Sequence, residues 1–331
     1  RRTVSSEITT DTRREEIMQK IPVYMITGFL ESGKTSFLQD IVTDEDFTEG
    51  QRCLLIVCEE GEVEYNNEDL CGNNITMITV NEEEKMNTDF LKYCIRQYTP
   101  KKIFIEMNGM WDYKWVFEWG QMDRLVLAQV ITLVDGSTFP VYLNNMRSLF
   151  SNMFQYTEMV IFNRCTESMD LHSYRRTVRS LNPRAMVYFE AYDGEPIDPG
   201  AEVPPFDFDA DVINIEDMDY GLWFLDASDN PERYEGKTVR FLAKVMKSRR
   251  MPEGMIVPGR NAMTCCADDI RFIGYLCKAD FVSELKTRQW IYLTAKIHYE
   301  YQKDYGEEGP VLYGVSYEPA EEPEDDLVYF N

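Results

Sequence analysis

Short runs of consecutive apolar residues, separated by amphipathic stretches, occupy the chain up to about position 190. Residues 23–27 (VYMIT), 51–59 (QRCLLIVCE), 75–80, 102–106 (KIFIE), 125–134, 159–162 and 185–190 read as strands buried on both faces. Between them, residues 89–97, 111–119, 141–155 and 168–181 carry helical spacing, and Pro100 and Pro183 follow two of these segments as stops. Strands alternating with helices predict an α/β domain, doubly wound around a mostly parallel sheet, whose ligand lies at the carboxyl ends of the strands. Beyond position 220 the pattern changes to alternation of period two. Residues 238–246, 255–264, 271–277, 290–298 and 311–317 read as strands, and Ile291, Leu293, Ala295 and Ile297 share one face. Five such strands with glycine-containing turns predict a small β-barrel of OB type. The stretch 190–219 has eleven acids, four prolines and neither Lys nor Arg, which suggests a linker or a covering segment. The expected organisation is an arm (1–20), an α/β domain (21–190), an acidic linker (191–219) and a β-rich domain with an acidic tail (220–331).

Bulk composition narrows the partners. The 331 residues carry 34 basic and 58 acidic side chains, a net charge of −24, which argues against nucleic acid or an anionic membrane as the main partner. No stretch approaches 18 uninterrupted apolar residues, and the first residues lack a signal-peptide core. Eight cysteines without framework spacing fit reduced thiols, so a cytoplasmic setting is expected.

The strongest chemical signal is Gly28-Phe29-Leu30-Glu31-Ser32-Gly33-Lys34-Thr35, a G-x4-G-K-[ST] loop after a strand and before a helix. Its glycines let successive N–H groups, those of Glu31, Ser32, Gly33 and Ser36 among them, face a phosphate at a helix N-terminus. Lys34 is expected to reach the β- and γ-phosphates, and the Thr35 hydroxyl to ligate Mg²⁺. A second signal is the strand 102–106, which ends in Glu106 and is followed by Met107-Asn108-Gly109. A carboxylate there can hold Mg²⁺ or the attacking water, and Gly109 lets its N–H approach the γ-phosphate.

These motifs resemble those of the CobW/HypB/UreG-like P-loop GTPases, whose hallmark is E-x-x-G where most GTPases carry D-x-x-G. The opening IPVYMITGFLESGKTSFL is close to that family's IPV-x-x-x-TGFLG-x-GKTT, and the resemblance runs over about 21–190 through VITLVDGSTF and Asn163. It implies nucleotide hydrolysis coupled to metal homeostasis or metalloprotein maturation, with Lys34 and Glu106 as catalytic residues; slow intrinsic turnover is expected because the sequence offers no obvious arginine finger in cis. Where the family has Asn-Lys-x-Asp for guanine, this chain has Asn163-Arg164-Cys165-Thr166. Asn163 is kept and Arg164 can stack on the base, but Thr166 offers no bidentate carboxylate, and Glu167 is one residue out of register. On the resemblance GTP is the expected nucleotide, with ATP or relaxed specificity as the alternative. Glu59-Glu60-Gly61-Glu62-Val63 resembles the family's N-E-F-G-E-V stretch with one residue fewer, and reads as a γ-phosphate-sensing switch or an acidic surface loop.

The family's Cys-x-Cys-Cys metal motif is missing: Cys71 stands alone, followed further on by residues 81–84 (NEEE). In the C-terminal part, residues 234–239 (YEGKTV), 260–269 (RNAMTCCADD) and 290–295 resemble the C-terminal domain of a bacterial permease-associated family. Cys265 and Cys266 with Asp268, helped by Cys277 as a third thiol, are candidate ligands for a transition metal such as zinc. Adjacent strand side chains point to opposite faces, however, which favours one buried and one exposed thiol. Arg175, Arg176 and Arg179 read as a solvated helix face that counters local acids. A metalloprotein client, a permease and a second copy of the chain stand as candidate partners. Three alternatives remain for function: a nucleotide-gated adaptor for a permease with little hydrolysis, a small-molecule kinase, and a metal-binding protein whose nucleotide site has decayed.

Overall fold

The computed structural model describes residues 20–112, 124–248, 251–263, 270–302 and 306–330. The arm expected over 1–20 (apart from Lys20), most of the aromatic stretch 111–119, and the pair Cys265 and Cys266 with Asp268 lie outside the described residues. The chain divides into two compact units, one running to Met169 and adding Arg184–Asp198, the other joining Asp170–Pro183 to the residues from Pro199 onward.

The first unit is the expected doubly wound α/β fold. Its strands are β1 (Ile21–Thr27), β2 (Cys53–Val57), β3 (Ile75–Thr79), β4 (Lys102–Glu106), β5 (Leu125–Asp135), β6 (Met159–Cys165) and β7 (Met186–Ala191). They form one sheet in the order β3-β2-β4-β1-β5-β6-β7, and every pairing is parallel. The central strands are buried because their β-branched and aliphatic residues are covered on both faces; β2 (CLLIV) has no exposed position. Helices α1 (Lys34–Thr43), α2 (Glu45–Thr48), α3 (Asn67–Gly72) and α4 (Thr88–Tyr98) connect the first strands. The single helix expected over 141–155 is instead two, α5 (Phe139–Asn145) and α6 (Arg147–Tyr156), broken where Met146 leaves helical geometry at φ −134° and ψ 38°.

The second unit contains α7 (Leu171–Leu181), β8 (Ile213–Ile215), α8 (Tyr220–Asp229), α9 (Pro231–Tyr234) and the strands β9 (Thr238–Met246), β10 (Met255–Ala262), β11 (Arg271–Gly274), β12 (Leu276–Lys278), β13 (Trp290–Gln302), β14 (Glu307–Pro319) and β15 (Leu327–Val328). Five of these close on themselves. β9 pairs with β10, β10 with β12, β12 with β14, β14 with β13, and β13 with β9 again. Only the β12–β14 pairing is parallel, and this circuit is the connectivity of an OB barrel. Trp223 of α8 is fully buried and packs against Tyr220, Phe241 and Tyr275.

Part of the stretch expected as a linker is sheet. Ile213 and Ile215 are buried, and β8 pairs in parallel with β9 as an edge strand. The arginines of α7 do counter acids, but not on a solvated face: Arg176 pairs with Glu202 and Arg179 with Asp229, and all four side chains are at least half-buried.

Candidate functional site

The carboxyl ends of β1, β4, β5 and β6 surround the N-terminus of α1 in the first unit. Parallel register places Glu106, the last residue of β4, beside Ile26 of β1 and Val57 of β2. Asp135, the last residue of β5, lies beside Asn163 of β6. Helix α1 begins after Gly33, has no side-chain cap and has no acid in its first turn. Its first N–H groups therefore have no partner in the helix, and the positive end of its dipole faces outward.

The loop between β1 and α1 is wedged between two other chain segments. Gly28 has φ 139°, and a Cβ there would lie 2.2 Å from the Leu133 carbonyl oxygen. A Cβ on Gly109 would lie 2.3 Å from the Gly28 carbonyl oxygen. Glu31 and Arg164 adopt positive φ, 62° and 54°, which costs side-chain-bearing residues energy and is found where a site holds its backbone in place. These two residues touch: Arg164 donates from Nη1 to the Glu31 carbonyl at 2.9 Å. Asn163 donates from Nδ2 to the Ser32 carbonyl at 2.7 Å, while its Oδ1 is buried without a partner. The Phe29 ring anchors the loop edge-on against Phe150 and Tyr142, with centroids 4.9 and 5.7 Å away.

Three functional groups converge here. Lys34 is 3 % exposed, and its ammonium donates to the carbonyls of Gly28 and Phe29 at 2.8 Å each and to Glu59 Oε2 at 2.7 Å. Thr35 donates from Oγ1 to Glu106 Oε1 at 2.9 Å. Tyr65 donates its hydroxyl to the other oxygen, Oε2, of Glu106. Burial pushes the Glu106 carboxyl above its usual range; the hydrogen bonds from Tyr65 and Thr35 and the charge of Lys34 work against that rise. Burial, then the charge of Glu106 and their hydrogen bond, push the Tyr65 phenol far up, so it stays a donor. Burial, with help from Glu106 and Glu59, pushes the nearby Cys58 thiol up to about 12, so it stays neutral.

A cavity of about 320 Å³ opens in front of these groups and is lined by Lys34, Thr35, Glu59, Glu106, Asp135 and Arg164, among others. Its size suits a small-molecule ligand. Arg164 also pairs with Asp135 at 2.6 Å. Burial favours the neutral form of Asp135, but hydrogen bonds from Ser137 and Arg164 outweigh it and hold the carboxyl below its usual range. Thr166, where the resemblance would require an aspartate, is exposed and hydrogen-bonds Ser168 at 2.9 Å.

Gly28, Glu31, Ser32, Gly33, Lys34, Thr35, Ser36, Glu106, Gly109, Asn163 and Arg164 thus meet around one loop and its cavity. Tyr65 joins them without any signal in the sequence that singles it out, and Asp135 joins them from the VITLVDGSTF stretch that carries part of the resemblance. Hard oxygen donors such as Thr35 Oγ1 and Glu106 fit Mg²⁺, which takes one or two protein ligands and completes its shell with phosphate and water. Among the described residues, no three His, Cys, Asp or Glu side chains cluster as metal ligands. Cys71 is exposed. Cys277 is fully buried in the barrel core, where burial holds its thiol at about 12. His298 pairs with Glu235 at 2.6 Å. No described helix is long and apolar enough to cross a membrane.

Residues 22–189 match the family model described as the CobW/HypB/UreG nucleotide-binding domain, and residues 201–330 match the DUF1980 C-terminal domain. Solved structures similar to the chain include the Zn(II)-bound YjiA GTPase from E. coli, with 20 % identity, a TM-score of 0.43 and coverage of 73 % of this chain and 86 % of that one. HypB from Helicobacter pylori in complex with nickel has 15 % identity and a TM-score of 0.35, covering 57 % and 86 %. HypB from Archaeoglobus fulgidus has 11 % identity and a TM-score of 0.39, covering 55 % and 86 %. At such scores these likenesses carry no argument about the site. No curated protein matches the chain.

Proposed function

Since the chain belongs to the CobW/HypB/UreG nucleotide-binding family, we propose that it is a Mg²⁺-dependent P-loop GTPase. The supporting observation is the convergence of Lys34, Thr35 and Glu106 at the uncapped N-terminus of α1, around one cavity. In this reading the first N–H groups of α1 and the Lys34 ammonium bind and neutralise the phosphates. Thr35 and Glu106 would hold Mg²⁺, which supplies charge neutralisation between the β- and γ-phosphates when bound. Glu106 is 2 % exposed, so its carboxylate acts in a low-dielectric setting where charge and hydrogen bonds count more than in water. Glu59 stands on Lys34 where a phosphate would bring its own charge. A triphosphate therefore competes with Glu59 for the ammonium, and residues 59–63 become the sensor of nucleotide state.

The family tie supports a role in metal homeostasis or metalloprotein maturation in the cytoplasm.

GTP as the preferred nucleotide rests on the family tie; Asn163 and Arg164, at the position of the family's base-recognition motif, brace the loop through the carbonyls of Ser32 and Glu31. Thr166 leaves the guanine edge without a carboxylate partner, so discrimination against ATP should be weak. Thr166→Asp is expected to raise the preference for GTP over ATP by about 10- to 100-fold, the worth of one charged hydrogen-bonding partner. Competition of GTP against ATP with Mg²⁺, combined with phosphate release, measures both points. No hydrolysis of either nucleotide by the wild-type protein would refute the enzymatic reading.

A further inference from the structure

We infer that Tyr65 is a positioning residue for Glu106, its hydroxyl fixing the carboxylate in the orientation the proposed hydrolysis requires; this rests on the GTPase reading. Glu106 has two oxygens and, among the described residues, two hydrogen-bond donors to them. Oε1 accepts from Thr35 and Oε2 from Tyr65. Thr35 is the group expected to turn an oxygen lone pair to Mg²⁺, so its donor to Glu106 is tied to the position of the metal. Tyr65 is the donor that does not itself ligate the metal, and it holds the carboxylate independently of it. A buried carboxylate on one soft torsion needs such a partner, because a small error in its placement is costly in rate.

Tyr65 is itself well placed to hold another group. Its ring packs against the core that includes Leu38 and Val42 of α1 and Leu70 of α3. The next residue, Asn66, caps α3 by accepting from the Glu68 N–H at 3.0 Å, and its own N–H donates to Gln39 Oε1. Residues 60–64 between Glu59 and Tyr65 are exposed. The segment therefore has a displaceable end, Glu59 on Lys34, and an anchored end, Tyr65 on Glu106. Phosphate entry can release the first without disturbing the second.

The test is Tyr65→Phe in the full chain, which keeps the packed ring and removes only the hydroxyl. The expected result is a kcat for GTP about ten-fold lower, in line with loss of an outer-shell partner, with the metal-free Kd for GDP unchanged within about two-fold. A second readout does not depend on turnover: Mn²⁺ affinity of the GDP complex, measured in a double-mutant cycle with Glu106→Gln. Tyr65→Phe should weaken Mn²⁺ binding several-fold in the wild-type background and have no effect in Glu106→Gln. Additive losses, an unchanged kcat, or loss of metal-free GDP binding would each overturn the inference. Absence of turnover in the wild-type protein would instead count against the GTPase reading, and the Mn²⁺ cycle would still decide the role of Tyr65.

Discussion

Replacing Lys34 with alanine is expected to lower kcat/KM for GTP by about 10³-fold, the scale of losing a preorganised charged donor at a phosphoryl group. The ammonium sits among two carbonyls and Glu59, all within 2.8 Å. In the nucleotide complex a phosphate takes the place of these acceptors. Without Lys34 the sign of the site changes. Glu59, whose side chain is 11 % exposed, would keep its charge beside the loop with its ion-pair partner gone, and would repel an incoming triphosphate. Phosphate release and calorimetric titration with GTP measure the effect. Normal binding and turnover would remove the P-loop reading altogether.

The second large effect is expected from Gly109→Ala. A Cβ at this position would lie 2.3 Å from the Gly28 carbonyl oxygen, 2.8 Å from its carbon and 3.0 Å from Phe29 Cα. All three atoms are backbone, so no side chain can swing away. Nor can the loop retreat, since Gly28 is itself close against Leu133 on its other side. The methyl group must force the segment after β4 and the phosphate loop apart. We expect a loss of about 2–3 kcal/mol in stability and roughly 100-fold weaker GTP binding, the latter because donors displaced by an ångström lose most of their effect. Thermal unfolding and equilibrium titration would show both. Gly72→Ala is the control: a Cβ there has nothing within 4 Å, and neither quantity should change appreciably.

Gly109 also illustrates what can be read from sequence. The E-x-x-G spacing suggests a glycine that lets an N–H approach phosphate. The structure adds a packing reason, contact with the loop backbone, that spacing alone does not contain. Arg164 behaves similarly. The sequence presents it as a group able to stack on a base, whereas in the fold its guanidinium also ties Glu31 to Asp135. These partners lie 133 and 29 residues away in the chain, so no local pattern could have paired them. The barrel divides in the same manner. Its strands are legible from their alternation, but its closure depends on the parallel β12–β14 pairing, which joins segments that are not consecutive. The linker expected from acids and prolines failed at Ile213 and Ile215, because a short alternating segment is outweighed by its surroundings in any composition count.

Periodicity and backbone freedom act over a few residues, and they were enough to set the local elements. These include the buried strands, the glycine loop that opens α1, the reactive types Lys34, Thr35 and Glu106, and the change to a β-rich second half. Which groups meet is a property of the folded chain alone. Thr35 reaches Glu106 across 71 residues and Tyr65 reaches it across 41. Strand register is the cause: parallel pairing of β4 with β1 and β2 sets Glu106 level with Ile26 and Val57. That alignment brings its carboxylate to the Thr35 hydroxyl at the start of α1 and to the Tyr65 hydroxyl beyond β2.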